Sequence, residues 1–423
     1  MDRPNIILIL TDQQRLSTLR TYADTPCRTP NLDALSSRSI VFDNAYTTCP
    51  LCSPARASIL TGLHPSEHGV TSNCGNSSCA VPNVHDPADL LSRRLQAAGY
   101  DCIYTGKWHL GTPTSSVFAD TIRPTIPSDV GFVGQNFPGH GAGGFDYAEY
   151  GEHLGRIGAT HRVRETRTLG DGFVPHFGIL EEPTEATVPY FLASHSIEQI
   201  DRHADSGRPF FLWHSFWGPH EPYFVPQRYY DLYRNVSMPE WPNYRWPGAD
   251  IDGPHRIAIN PSYDELEWKD WAEAIRHYYA FTTLIDEQIG RIVGHLETAG
   301  LMDDTLIVFT SDHGETLGSH GGLMDKGIMH FDEIQRVPMY MKLPGSAEAG
   351  TRRKELVSLA DLYPTFLDAA KAPTGREGSV GGVNGRIQGD ARSILSLFRG
   401  ASDWRNEVVI QSEGVQNVNI SLR

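Results

Sequence analysis

Two apolar runs of strand length end in residues able to hold a cation. Ile7-Leu8-Ile9-Leu10 leads into Thr11-Asp12-Gln13, and Leu306-Ile307-Val308-Phe309 leads into Thr310-Ser311-Asp312-His313-Gly314-Glu315. Each run would present a carboxylate with a second candidate ligand beside it. Asp12, Gln13, Asp312 and His313 together form an oxygen-rich donor set with one ring nitrogen. Such a set suits Ca²⁺, Mg²⁺ or Mn²⁺ better than Zn²⁺. Taken singly, either aspartate could instead cap a helix. A third feature is Cys52-Ser53-Pro54-Ala55-Arg56, followed by Ala57-Ser58-Ile59-Leu60-Thr61-Gly62. Pro54 fits the first turn of a helix, which would set Cys52 at the positive end of that helix. An anionic group is favoured there. Cys49-Pro50-Leu51-Cys52 also has the C-x-x-C spacing of a redox dithiol. A dithiol would need no cation ligands elsewhere in the chain, so this reading fits poorly.

Three more segments follow apolar runs or lie near the second strand end. They are Gly106-Lys107-Trp108-His109-Leu110-Gly111, Trp217-Gly218-Pro219-His220-Glu221-Pro222, and Met324-Asp325-Lys326-Gly327. Alone they read as a buried tryptophan with polar flanks, a structural histidine and a surface lysine. In their order along the chain, these segments together resemble the type I, formylglycine-dependent sulfatases of the alkaline phosphatase superfamily. The resemblance runs from Asn5 to about Thr365. It carries C-x-P-x-R followed by T-G, G-K-W-H-L-G, P-H-x-P, and a lysine shortly after S-D-H-G.

The resemblance implies a role for each matching residue. Cys52 would be oxidised to formylglycine by a separate formylglycine-generating enzyme and would act as the nucleophile, with Arg56 favouring its deprotonation. Asp12, Gln13, position 52, Asp312 and His313 would hold one divalent metal, calcium ahead of magnesium or manganese. Lys107 would contact the formylglycine and the sulfate, and His109 the formylglycine hydroxyl. His220 would assist the leaving oxygen, and Lys326 would reach the bridging oxygen of the ester. The expected reaction is hydrolysis of a sulfate ester, on a sugar first and an aryl or small alkyl group next. One position departs from the pattern: many sulfatases have Asp-Asp where this chain has Asp12-Gln13. The related phosphonate monoester and phosphodiester hydrolases share Asp-Gln, and form the alternative. A non-catalytic binding protein with unmodified Cys52 is a more distant one.

These residues need a scaffold. Strands are expected over Asn5–Leu10, Cys102–Thr105, Pro209–Phe216, Thr305–Thr310 and Val337–Lys342. Between them, Phe281, Leu284, Ile285, Ile289, Ile292, Val293 and Leu296 have helical spacing, with Gly300 as the stop. Alternating strands and helices predict an α/β fold with a large, mostly parallel sheet sandwiched by helices. Such sheets bind ligands beyond the carboxyl ends of their strands. Residues 112–190 and 217–271 read as long irregular stretches. The chain is expected to leave the sheet near Pro344–Gly350, giving a catalytic domain over 1–350 and a smaller, shortened C-terminal α+β subdomain over 351–423. Within the latter, Leu356–Ala370 reads as helix and Asp403–Leu422 as one or two strands. Trp213, Trp217, Trp241, Trp246, Trp268 and Trp271 could stack on sugar rings, although core packing is the plainer reading. Asn73 is expected beside the pocket. His64, His68, His140 and His320 are read as packing residues.

Composition bounds the rest. In 423 residues, 36 Lys and Arg face 51 Asp and Glu, a net charge of -15, which argues against nucleic acid as a partner. A metal and a few cations can still reverse the field locally for an anionic substrate. No run approaches the roughly 20 apolar residues of a membrane span. Six cysteines are too sparse for a disulfide scaffold, and free thiols are expected. Met1-Asp2-Arg3-Pro4 enters a strand directly, so the chain as written reads as cytoplasmic, and as periplasmic or secreted if a leader has been removed.

Overall fold

The computed structural model describes residues 3–84, 89–112, 123–171, 175–245, 263, 265–326, 330–373, 390–412 and 420–422. Its strands are β1 (Asn5–Asp12), β2 (Ile40–Tyr46), β3 (Asp101–Gly106), β4 (Val133–Gly134), β5 (Val163–Arg167), β6 (Phe177–Leu180) and β7 (Phe210–Pro219). They continue with β8 (Tyr223–Pro226), β9 (Thr305–Ser311), β10 (Met339–Lys342), β11 (Arg352–Ser358), β12 (Val409–Gln411) and β13 (Ile420–Leu422). The main sheet has eight strands in the order β11-β2-β10-β9-β1-β7-β3-β4. Only β10 runs against its neighbours, so the sheet is mostly parallel, as expected.

The central strand shows why the sheet is covered on both sides. Side chains alternate across a strand, and β1 is apolar at every position from Ile6 to Leu10. Ile6, Leu8 and Leu10 join a core with helices Cys52–Thr61, Leu91–Ala97 and Leu362–Ala369. Ile7 and Ile9 join a second core with helices Pro30–Ser37, Val188–Ala204 and Trp268–Thr298. All five are fully buried. Each such side chain contributes about 1.5–3 kcal/mol by leaving water.

Several expectations are corrected. The chain does not leave the sheet near Gly350, because β11 returns to its edge and pairs parallel with β2. Residues 356–358 are therefore strand, and the helix expected from Leu356 starts at Leu362. The long helix begins at Trp268, well before Phe281, and Gly300 beyond it has φ +69°. The stretch 112–190 holds helix Ala148–Ile157 and strands β4, β5 and β6; β5, β6 and β8 form a separate three-stranded sheet. β12 and β13 pair antiparallel. Trp213, Trp217 and Trp271 are buried core residues, and Trp241 and Trp268 pack against that core. Trp246 lies outside the described residues. Among the described residues, no helix is long and apolar enough to cross a membrane.

Candidate active site

β1 and β9 are parallel neighbours in register from Asn5 to Thr11, so Asp12 and Asp312 emerge side by side at their carboxyl ends. A register shift between Leu10 and Asp12 on the β7 side brings Pro219 opposite Asp12, and the His220 N–H then donates to the Asp12 carbonyl at 3.1 Å. Gln13 has φ +62°, an unusual conformation for a residue with a Cβ. Two contacts hold it there. Its N–H donates to Asp312 Oδ1 at 3.1 Å, and its carbonyl accepts from the Tyr278 hydroxyl of the long helix at 2.6 Å.

Helix Cys52–Thr61 aims its amino end at these carboxylates, and all ten of its residues are buried. Asn73 Oδ1 accepts the Ser53 N–H at 3.1 Å, capping that end. One turn along, Arg56 bridges the two aspartates: Nη2 meets Asp12 Oδ2 and Nε meets Asp312 Oδ2, both at 2.9 Å. Its Nη1 donates to the Lys107 carbonyl at 2.8 Å. Lys107 Nζ lies 2.5 Å from Asp12 Oδ2 and 3.4 Å from Cys52 Sγ. Burial alone would raise the Asp12 carboxyl, but the Lys107 and Arg56 cations hold it well below the usual carboxylate range.

Cys52 Sγ sits 3.3 Å from His313 Nε2 and 3.8 Å from Asp12 Oδ1. Burial, and next the Asp12 carboxylate, push the thiol up to about 12. A redox or nucleophilic cysteine needs the opposite shift. Cys49 and Cys52 are buried and not joined in a disulfide, and the raised Cys52 thiol gives the dithiol reading no support.

His109 follows β3 by way of Gly106, at φ +91°. Only glycine fits there, because a Cβ would stand 1.8 Å from the Ser215 carbonyl oxygen. The His109 carbonyl accepts the Ser53 hydroxyl, which fixes this loop to the cysteine helix. Its ring packs edge-on to His140 at 5.2 Å, and His140 lies 4.7 Å from His220. Burial, then the neighbouring Lys107, depresses His109; burial, then Lys326, depresses His220. Both rings are neutral near pH 7. The sequence reads His140 as a packing residue. It stands between the two candidate histidines, with a buried Nε2 that has no hydrogen-bond partner. By contrast, His64 pairs with Asp390, His68 with Ser58 and His320 with Glu333.

Lys326 Nζ reaches His220 Nε2 at 2.8 Å and Asp325 Oδ1 at 2.8 Å, and donates to Gln13 Oε1. Glu221, Glu315 and Asp325 form a second acidic group here. All three lie within the motif segments, where nothing in the local sequence gives them a role. Burial, and next Asp325, push Glu221 up to about 7.

Donor atoms of Asp12, Cys52, Asp312 and His313 lie within 4.8 Å of one another. The donor chemistry of this group fits a hard cation.

Known proteins share this arrangement of chain. The sulfatase family model matches residues 4–372. The ulvan-active sulfatase of Formosa agariphila is 28% identical over 384 residues, covering 89% of this chain and 64% of that protein. The choline-sulfatase of Rhizobium meliloti is 31% identical over 379 residues, covering 87% of this chain and 68% of that protein. The chain thus spans about two thirds of these relatives. The crystal structure of the phosphonate monoester hydrolase of Agrobacterium radiobacter superposes with a TM-score of 0.76 at 25% identity, covering 97% of this chain and 80% of that one.

Proposed function

The chain belongs to the sulfatase family, and from that premise we propose that it hydrolyses a sulfate ester with Cys52 as the modified nucleophilic position and one divalent cation, calcium first. The observation that carries this reading is the convergence of Asp12, Asp312, His313, Arg56 and Lys107 on Cys52, at the buried amino end of its helix. Oxidised to formylglycine, position 52 would supply a hydrated aldehyde, and the cation, held by Asp12, Gln13, Asp312 and His313, would offset negative charge.

The chain's own residues do the rest. Arg56 orients Asp12 and Asp312 through its two ion pairs and helps keep Asp12 ionised. Lys107 and Lys326 attract and hold the sulfuryl oxygens. Lys326 and His220, joined to each other through His220 Nε2, would hydrogen-bond the departing alcohol oxygen and assist its departure. His109 Nδ1 has no partner, so it is free to accept the proton from position 52 that releases sulfate. The low proton affinity of His109 keeps it a base at neutral pH.

A sulfated sugar is the first substrate class, since the ulvan-active relative is named for a polysaccharide; the choline-sulfatase relative favours a small alkyl sulfate as the next. A second reading, phosphonate monoester or phosphodiester hydrolase, is favoured by Asp12-Gln13 and by the likeness to the Agrobacterium enzyme. Two measurements test these. Mass spectrometry of the Cys52 peptide from the native host should show an aldehyde in place of the thiol, and Cys52→Ala should abolish turnover. An intact thiol in that material, or an active Cys52→Ala protein, rejects the mechanism. Rates on 4-nitrophenyl sulfate and a phosphodiester analogue, side by side, decide between the two ester classes.

A further inference from the structure

Gln13 is held by both ends of its amide. Nε2 donates to Glu315 Oε2, to Asp325 Oδ1 at 3.2 Å and to Glu221 Oε2 at 3.4 Å. Oε1 points the other way and accepts from Lys326 Nζ. Glu315 is fully buried. Its second oxygen, Oε1, accepts the backbone N–H of Leu317 at 2.8 Å, the N–H of Asp325 at 2.7 Å and the Thr316 hydroxyl at 3.2 Å. One carboxylate therefore ties the end of β1 to the loop that carries Lys326.

We propose that Glu315 is a positioning residue that sets the orientation of the Gln13 amide and holds Lys326 against His220. The inference rests on the proposed roles of Gln13 and Lys326. It also gives a reason for an amide at position 13. A carboxylate there would be a fourth anion beside Glu221, Glu315 and Asp325, with no proton to donate. An amide supplies two N–H donors on the acidic side and leaves its oxygen for the cationic side. Without Glu315 the amide has no fixed choice between its two orientations.

Glu315→Gln tests this in the full chain. Its new amide cannot accept from Gln13 and from the backbone of Leu317 and Asp325 at once, so one set of donors is stranded. Calcium affinity, measured by calorimetry, should weaken by about 10–100-fold. On 4-nitrophenyl sulfate, kcat should fall by a similar factor with KM little changed. Glu315→Asp, which keeps a carboxylate able to accept, should retain more of both than Glu315→Gln. Glu315→Gln protein that binds calcium and turns over like the wild type overturns the proposal. So does a Glu315→Asp variant no better than Glu315→Gln when both melt like the wild type. Wild-type protein that binds calcium but cleaves no sulfate ester rejects the proposed function instead, and calcium affinity alone then decides the role of Glu315.

Discussion

Arg56 has no exposed surface, and its guanidinium is the link between the two strand-end aspartates. Replacing it with methionine fills the space but leaves Asp12 and Asp312 buried with one cation fewer. Such a loss costs roughly 3–5 kcal/mol. Urea unfolding of Arg56→Met should show it, and a change below about 1 kcal/mol would mean that Lys107 compensates alone. The candidate residues were legible because polar side chains that end apolar runs have few other reasons to be there. Asp12, Cys52, Arg56, Lys107, Asp312 and His313 are brought together as the sequence implied. His140 was not legible. It lies in a glycine-rich stretch with no periodicity, and only its packing against His109 and His220 marks it. Glu315 was in plain view, but its link to Gln13 spans three hundred residues of chain and has no local signal.

At the level of elements, Gly106 is the tightest joint between the sheet and the site. β3 and β7 pair through Gly106 and Ser215, and Lys107 follows at once. Gly106→Ala must push the strands apart at φ +91°, so a loss of about 1–3 kcal/mol is expected, together with a fall in kcat as Lys107 shifts. Denaturant midpoints and initial rates measure both. An alanine variant as stable and active as the wild type would show that the two strands slide without cost. The central strands were readable as continuous apolar runs, the pattern of a parallel sheet buried on both faces. β11 was not. Its sequence, Arg352–Ser358, is half charged because it lies at the sheet edge, where one side meets water. The start of the long helix was hidden for a similar reason, since Trp268–Ala280 mixes aromatic, charged and small residues with no clean stripe.

The whole molecule carries a pH dependence that the site does not dominate. Ten described histidines are held below their ordinary value, against five carboxylates held above theirs. Burial holds His214 and His68 down to about 3 and His195 to about 4. In the unfolded chain each takes a proton near pH 6.5. Below that pH the unfolded state binds more protons than the folded one, so stability is full above pH 6.5 and declines as pH falls toward 4. Asp286 and Asp361, raised to about 6, act in the opposite sense but are outnumbered. Urea midpoints at pH 7.5, 5.5 and 4.5 should fall in that order; a midpoint that rises at pH 5.5 would reverse the assignment. The complete burial of helix Cys52–Thr61 has a consequence in time as well as in space. On the proposed conversion of Cys52, a modifying enzyme would have to reach this segment before it is packed inside the sheet's own cover. Conversion would then be a race between that enzyme and folding, and fast synthesis would leave the larger share of the protein unconverted.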